Sequence, residues 1–281
     1  MRGIPDPRRK IRQASGIMKR ILTMPRLLLI RPALVVVVFL TLGLNGYAQT
    51  ITPAARQVLD AMIEALGGQQ FLNVKEIQTS GRFFIFNGRG ELSQSDLYTT
   101  YTKYPDMDRT EWGKDKIKPA RINRGLEGWI LTPPAKGKDP DVAEQAVEDT
   151  EEFLRVFRTS FNYMVRVVVN TPKASVLLTG SESVDLRRAD ILEIRDAEKN
   201  LLRVFVDRET RLPLKTQTRL ANENFTHERV YANWHRISGV MTAKRVIVSK
   251  DGVKAQEMFI DTAAYNPGFP DSLFAPPAKS K

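Results

Sequence analysis

The sequence predicts an α+β fold in which a strongly curved antiparallel sheet is covered by helices and follows an N-terminal signal peptide. Two segments carry apolar residues at helical spacing, one after residue 52 and one between 141 and 169. Most of the remaining chain alternates between apolar and polar residues, which is typical of strands. Turn signals recur about every ten residues in the last third, which favours one continuous antiparallel sheet.

The first 48 residues are organised as a secretory signal peptide with a long basic n-region. They hold nine Lys and Arg residues and a single acid, followed by the apolar run Ala33–Leu44 and the cleavage motif Gly46–Ala48. That run is short for a membrane span, which needs about 20 residues. We expect cleavage after Ala48 and a periplasmic protein, with an uncleaved anchor as the alternative. Met18 and Met24 are alternative start sites.

Composition excludes several classes of function. Without the first 48 residues, the 43 basic and 32 acidic residues become 34 and 31, so the net charge of +11 does not indicate nucleic-acid binding. The absence of cysteine excludes disulfides, thiolate metal sites and cysteine nucleophiles. The two histidines, His227 and His235, cannot supply a zinc site alone. There is no phosphate loop, dinucleotide fingerprint or nucleophile elbow. We therefore expect no catalytic residue, metal or cofactor, and a protein that is not an enzyme.

The first folded element is a helix that begins at Thr52, a good N-cap, with Pro53 in its first turn. Gly67 and Gly68 end it, since glycine adopts positive φ at least cost. Its apolar stripe indicates that it covers a sheet. The stripe consists of Val58, Leu59, Met62, Ile63 and Leu66.

A hairpin follows, because residues 77–86 and 92–104 alternate around the turn Asn87-Gly88. Alternation places Tyr98 and Thr100 on one face of the second strand and Tyr101 on the other. The remaining strands are expected at 109–112, 121–123, 128–131, 175–180, 189–196, 200–207, 213–220, 226–234, 240–249 and 254–263. No linker interrupts residues 49–281, which we expect to form a single domain with a Pro-rich tail after 274.

The second helix is predicted over residues 141–169 and stops before Pro172. Acids near its start and arginines near its end match the helix dipole. We interpret its acidic cluster as a solvated face, with a binding site as the alternative. The cluster comprises Glu144, Glu148, Asp149, Glu151 and Glu152.

Aromatic residues are concentrated on the predicted strands. A packed core is the simpler interpretation, and a cavity between the curved sheet and its helices is the alternative, suited to an acyl chain because each buried methylene contributes about 0.8 kcal/mol. The residues expected to line such a cavity are Phe83, Ile85, Tyr98, Tyr101, Trp112, Trp129, Phe157 and Phe205.

Several segments together resemble the outer-membrane lipoprotein-sorting protein family, the LolA/LolB/RseB-like superfamily, and its divergent exported members. They are turn-and-strand signatures spread over residues 52–277, namely Ala65–Gly68, Gly81, Gly125–Trp129, Val206–Lys215, Tyr231–Val240 and Asn266–Pro277. The resemblance implies that the curved sheet is an incomplete antiparallel β-barrel with helices plugging its open side. It further implies a cavity that carries acyl chains of lipoproteins or related amphiphiles across the periplasm. It also implies that the helix at 141–169 is a lid, and it makes Arg82 a candidate for the arginine that latches the lid.

Three functional hypotheses follow. The leading one is a monomeric, non-enzymatic periplasmic carrier or sensor of a hydrophobic ligand such as an acyl chain, lipid or lipoprotein. The second is an envelope protein-interaction or stress-sensing module with a packed core and a protein partner. The third is a hydrolase or a hydrolase accessory.

Overall fold

A computed structural model describes residues 50–134, 140–224 and 226–277. The predicted signal peptide, residues 1–48, lies outside the described residues, and the boundary of the single domain at residue 49 stays a prediction. Within the described part of the chain, none of the helices combines the length and apolarity that crossing a membrane requires.

Fourteen strands, counted over the described residues, form one open sheet in the order β1-β8-β9-β10-β11-β12-β13-β14-β2-β3-β4-β5-β6-β7. The strands are β1 (Thr50–Ile51), β2 (Glu76–Phe86), β3 (Leu92–Lys103), β4 (Met107–Trp112), β5 (Ala120–Arg124), β6 (Glu127–Thr132), β7 (Asp141–Glu144), β8 (Ser175–Val184), β9 (Arg187–Arg195), β10 (Leu201–Asp207), β11 (Pro213–Arg219), β12 (His227–Ile237), β13 (Val240–Lys250) and β14 (Val253–Tyr265). The helices are α1 (Pro53–Leu66), α2 (Gln69–Leu72), α3 (Val147–Arg158) and α4 (Phe161–Arg166), with 3-10 turns at Val168–Asn170 and Asp271–Phe274.

The sheet consists of two antiparallel meanders, β2–β7 and β8–β14, that meet where β14 pairs with β2. Among the strands of the described residues, only β1 runs parallel to its neighbour, β8. The predicted fold class, a large antiparallel sheet with helices over it, is confirmed.

Helix α1 begins and ends where the sequence predicts. The Thr52 side chain accepts a hydrogen bond from the amide of Ala55, and Gly67 ends the helix with a φ of 129°. Of its apolar stripe, Leu59, Met62 and Leu66 are fully buried against β8–β10, together with residues of α4, whereas Val58 and Ile63 are half-buried. This core contains Leu59, Met62, Met164, Val165, Val176, Leu192, Ile194, Leu202 and Val204.

The seam between the meanders requires glycine at position 81. A side chain there would collide with the backbone carbonyl of Phe259 on β14, at a point where the register of the two strands shifts after Ile260. Gly81 therefore allows the last strand to pair with β2 along the length of both strands.

The prediction of one continuous helix over residues 141–169 is wrong in its bounds. Asp141–Glu144 instead forms the edge strand β7, paired with β6, and the helical part is divided. The Thr159 hydroxyl donates to the carbonyl of Arg155 at 2.8 Å, and the Ser160 side chain accepts from the amide of Tyr163 at the start of α4. Local side-chain bonds of this kind compete with helix continuation.

Candidate functional site

A cleft of about 1050 Å³ lies between the helix-bearing face of β2–β6 and helix α3. Residues of β12 and β14 and the start of α4 complete its lining. On the β8–β10 side the same face is filled by α1 and α4, so the cleft occupies the part of the sheet that those helices leave uncovered.

The floor of the cleft changes from polar to apolar along the strands. On β4, Asp108, Thr110 and Trp112 follow one another at every second residue, and all three line the cleft. On β3 the matching positions are Thr102, opposite Asp108, and Tyr98, opposite Trp112. Alternate residues of a strand are about 7 Å apart. Asp108 and Trp112, at the polar and aromatic ends of the floor, are four residues apart and therefore separated by about 13 Å.

Asp108 is the buried acid of the polar end, with a side chain only 9% exposed. Thr102 and Thr110 each donate a hydroxyl hydrogen bond to it, at 3.1 and 3.2 Å. Burial raises the pKa of Asp108 to about 6, an effect that the nearby charge of Arg121 and the two hydroxyls reduce but do not cancel. Asp108 is therefore ionised at neutral pH at a considerable desolvation cost.

The aromatic end is formed by Phe83, Tyr98 and Trp112 together with Met258. The rings of Phe83 and Tyr98 lie 6.4 Å apart, and burial raises the pKa of Tyr98 to about 12. This end offers an apolar surface to a ligand. It faces the same cleft as Asp108.

Helix α3 supplies the opposite wall through Phe153, Val156 and Phe157. The ring of Phe157 lies 5.4 Å from Phe153 and 5.3 Å from Tyr104 at the end of β3. Gln145 holds the N-terminal end of helix α3, because its side-chain amide nitrogen donates to the backbone carbonyl of Ile122 at 2.9 Å. Gly128 on β6 makes room for this anchor, because a Cβ there would lie 2.6 Å from that nitrogen.

The charged residues around the cleft are mostly acidic. Asp108 lies on the floor, and Glu144, Asp149 and Glu152 are exposed at the rim of β7 and α3. The lining cations are Arg121 and Arg229. Glu144, Asp149 and Glu152 belong to the acidic cluster that was predicted to be a solvated face. These three residues are exposed, and they also border the cleft.

Four of the eight residues predicted to line a cavity lie together in this cleft: Phe83, Tyr98, Trp112 and Phe157. Ile85 is half-buried on β2 but is not part of the lining. Tyr101 and Trp129 face the other side of the sheet and pack with Phe269 and Phe274 of the C-terminal tail. Phe205 is buried in a separate cluster with Val184, Ala189 and Leu214.

Arg82 does not face the cleft. It is exposed on β2 and alternates with Phe83, so it lies on the opposite face of the strand. Arg82 is therefore not placed to latch a helix over the cleft, as the family resemblance had suggested.

Sequence reasoning missed the polar floor, in particular Asp108 and Arg121. A signal was present, because alternation already placed Tyr98 and Thr100 on one face and Tyr101 on the other. When threonines and an aspartate share a strand face with an aromatic side chain, that face is not completely buried, because burying polar groups without partners is costly.

No protein-family model matches the sequence, and no curated protein matches it either. Several crystal structures resemble this one, and three of them have TM-scores above 0.5. A DUF1329 family protein from Desulfovibrio piger ATCC 29098 has a TM-score of 0.53 at 17% identity, covering 79% of this chain and 98% of its own. A LolA superfamily protein from Nitrosomonas europaea has 0.51 at 14%, covering 79% and 97%. The chain has the LolA-like fold.

A putative outer membrane lipoprotein-sorting protein domain from Vibrio parahaemolyticus shares this LolA-like fold, with a TM-score of 0.51 at 12% identity over 79% of this chain and 97% of that one. At these identities the likeness concerns the fold. In the part of the chain that is described, no group of three or more His, Cys, Asp or Glu residues is placed to hold a metal ion.

Proposed function

We propose that the protein is a non-enzymatic periplasmic carrier that holds an amphiphilic molecule in the cleft under α3. The observation that carries this proposal is the floor itself, which is polar at Asp108 and aromatic at Trp112 within one continuous cleft. An amphiphile has the same two-part character. Its apolar chain would bury surface against Phe83 and Trp112, and each methylene removed from water contributes about 0.8 kcal/mol.

Three further observations support a carrier. The basic and apolar segment before Ala48 has the pattern of an export signal. The Vibrio parahaemolyticus domain of the same fold is described as a putative outer membrane lipoprotein-sorting domain. The cleft volume, about 1050 Å³, lies at the upper end of the range of small-molecule sites.

The test is native mass spectrometry of the full chain exported with its own leader and purified without detergent, followed by organic extraction. We expect a mature mass beginning at Gln49 and an added mass that extracts as an amphiphile. Thr100→Trp, on the floor, should lose this added mass. Its matched control is Thr99→Trp, one residue away on the opposite face, which should retain it.

A protein that stays free of ligand after exposure to phospholipids and fatty acids would overturn the carrier proposal. It would favour the envelope protein-interaction module instead. Retention of the added mass by Thr100→Trp, with circular dichroism unchanged, would show that the ligand is bound outside the cleft.

A further inference from the structure

The polar end of the cleft contains an acid and a cation on neighbouring strands that do not form a salt bridge with each other. Asp108 on β4 and Arg121 on β5 both line the cleft. Thr110, two residues from Asp108, is the direct cross-strand partner of Arg121, so the two charged residues are diagonal neighbours on one face. Among the residues that the structure describes, neither forms a salt bridge with the other or with any other side chain.

The carboxylate of Asp108 has unused capacity for hydrogen bonding. A carboxylate can accept about four hydrogen bonds, and Thr102 and Thr110 supply two. A carboxylate that is more than nine-tenths buried and incompletely bonded is costly. A donor brought by a ligand would lower that cost. Arg121, in contrast, is exposed, and its guanidinium is available to an anion.

We propose that the amphiphile in the cleft has a zwitterionic headgroup, with an ammonium group bound by Asp108 and a phosphate bound by Arg121. This inference rests on the proposed function. In an ethanolamine phosphate the two charges are joined by a two-carbon chain, so one headgroup can contact two diagonal neighbours on a sheet. The apolar chains then extend along β4 towards Trp112, where the floor is aromatic.

The rim distinguishes this headgroup from a purely anionic one. Glu144, Asp149 and Glu152 border the cleft and repel a ligand with net negative charge. A zwitterion has no net charge, and its ammonium group complements the acids. The arrangement therefore favours phosphatidylethanolamine over phosphatidylglycerol.

The experiment measures binding of short-chain lipids to the full chain by isothermal titration calorimetry below their micelle concentrations. Dihexanoyl phosphatidylethanolamine, dihexanoyl phosphatidylglycerol and the uncharged octyl glucoside are the probes. We expect the zwitterionic lipid to bind about tenfold more tightly than the anionic one. Asp108→Asn should reduce this preference to about twofold, and Arg121→Gln should weaken binding of both phospholipids without affecting octyl glucoside.

The matched controls are Asp60→Asn and Arg56→Gln on α1. They change the same residue types in an exposed pair 3.7 Å apart and should leave all three affinities unchanged. Arg121 is exposed, so its variant tests the inference even if Asp108→Asn does not fold.

Equal affinity for the two phospholipids, or tighter binding of the anionic one, would overturn the zwitterion proposal while octyl glucoside binding left the carrier proposal intact. An unchanged preference in Asp108→Asn would also overturn it. Failure of all three probes to bind would contradict the carrier proposal itself.

Discussion

The two halves of the helix-bearing face use the same sheet in opposite ways. On β8–β10 the residues under α1 are aliphatic and fully buried, as at Val176, Leu192 and Leu202. On β3 and β4 the same face carries Thr102, Asp108 and other polar side chains, and a cleft remains. Polar groups are costly to bury without partners, whereas aliphatic groups gain by burial. The side chains of the sheet therefore decide which half a helix can cover closely.

The largest expected effect comes from truncating the packed half. Leu59 is fully buried between α1 and the sheet, so Leu59→Ala should reduce the free energy of unfolding by about 3 kcal/mol, within the 2–5 kcal/mol typical of such cavities. Trp112→Ala, in the cleft, should cost less than about 1.5 kcal/mol because its ring is only partly buried. Urea unfolding followed by circular dichroism measures both.

Leu126→Ala is the control for the loss of an exposed leucine, since that side chain is 64% exposed. It should change stability by less than about 0.5 kcal/mol. If Trp112→Ala destabilised the protein as much as Leu59→Ala, the cleft would be part of the core, and the contrast between the halves would fail.

The pH dependence of stability tests the half of the sheet that carries the cleft, because Asp108 is the acid buried on its floor. Its pKa is about 6 in the folded protein against an ordinary value of 3.8. A group whose pKa is raised by folding costs stability as the pH rises through that interval. Between pH 4.5 and 7.5 this cost amounts to about 2 kcal/mol.

The measurement is the difference in unfolding free energy between the wild-type protein and Asp108→Asn at these two pH values. This difference isolates Asp108 from Glu76 and Glu257, whose lowered pKa values change stability in the opposite direction. The groups that lower the pKa of Asp108 are the hydroxyls of Thr102 and Thr110 and the charge of Arg121. The variant should gain relative to wild type as the pH rises. Parallel profiles would show that Asp108 is solvated.

The packed half was largely predictable from the sequence. Its helix is predicted by local signals, each of which determines the structure of its own segment. These signals are the N-cap at Thr52, the apolar stripe through Leu59 and the glycine pair at 67 and 68. The strands were predictable for the same reason, since alternation and turn residues are read locally. The pairing of β14 with β2 depends on contacts between residues about 180 positions apart, as between Gly81 and Phe259.

The cleft was only half predictable. Aromatic character identified Phe83 and Trp112, but it also selected Trp129 and Phe205, because composition does not show which face of a strand is covered. The tail that covers Trp129 reaches it from more than 130 residues further along the chain, through Phe269 and Phe274. Such a cover has no local signal. The acid at position 108 was missed because it precedes the strand predicted at 109–112 and no motif surrounds it, so the alternation around Tyr98 was the only signal.

The smallest expected effect concerns the N-caps of the two helices, α1 over the packed half and α3 over the cleft. Helix α1 has a side-chain cap at Thr52, whereas α3 begins at Ala146 without one. Ala146→Ser should supply an acceptor for the amide of Asp149, and a cap of this type contributes about 1 kcal/mol. Because α3 forms one wall of the cleft, this gain should appear as slower hydrogen exchange in its first turn, by about fivefold, with little change in global unfolding. Ala146→Val, which offers no acceptor, is the control. Equal protection in both variants would mean that bulk at position 146, and not the cap, limits the opening of α3.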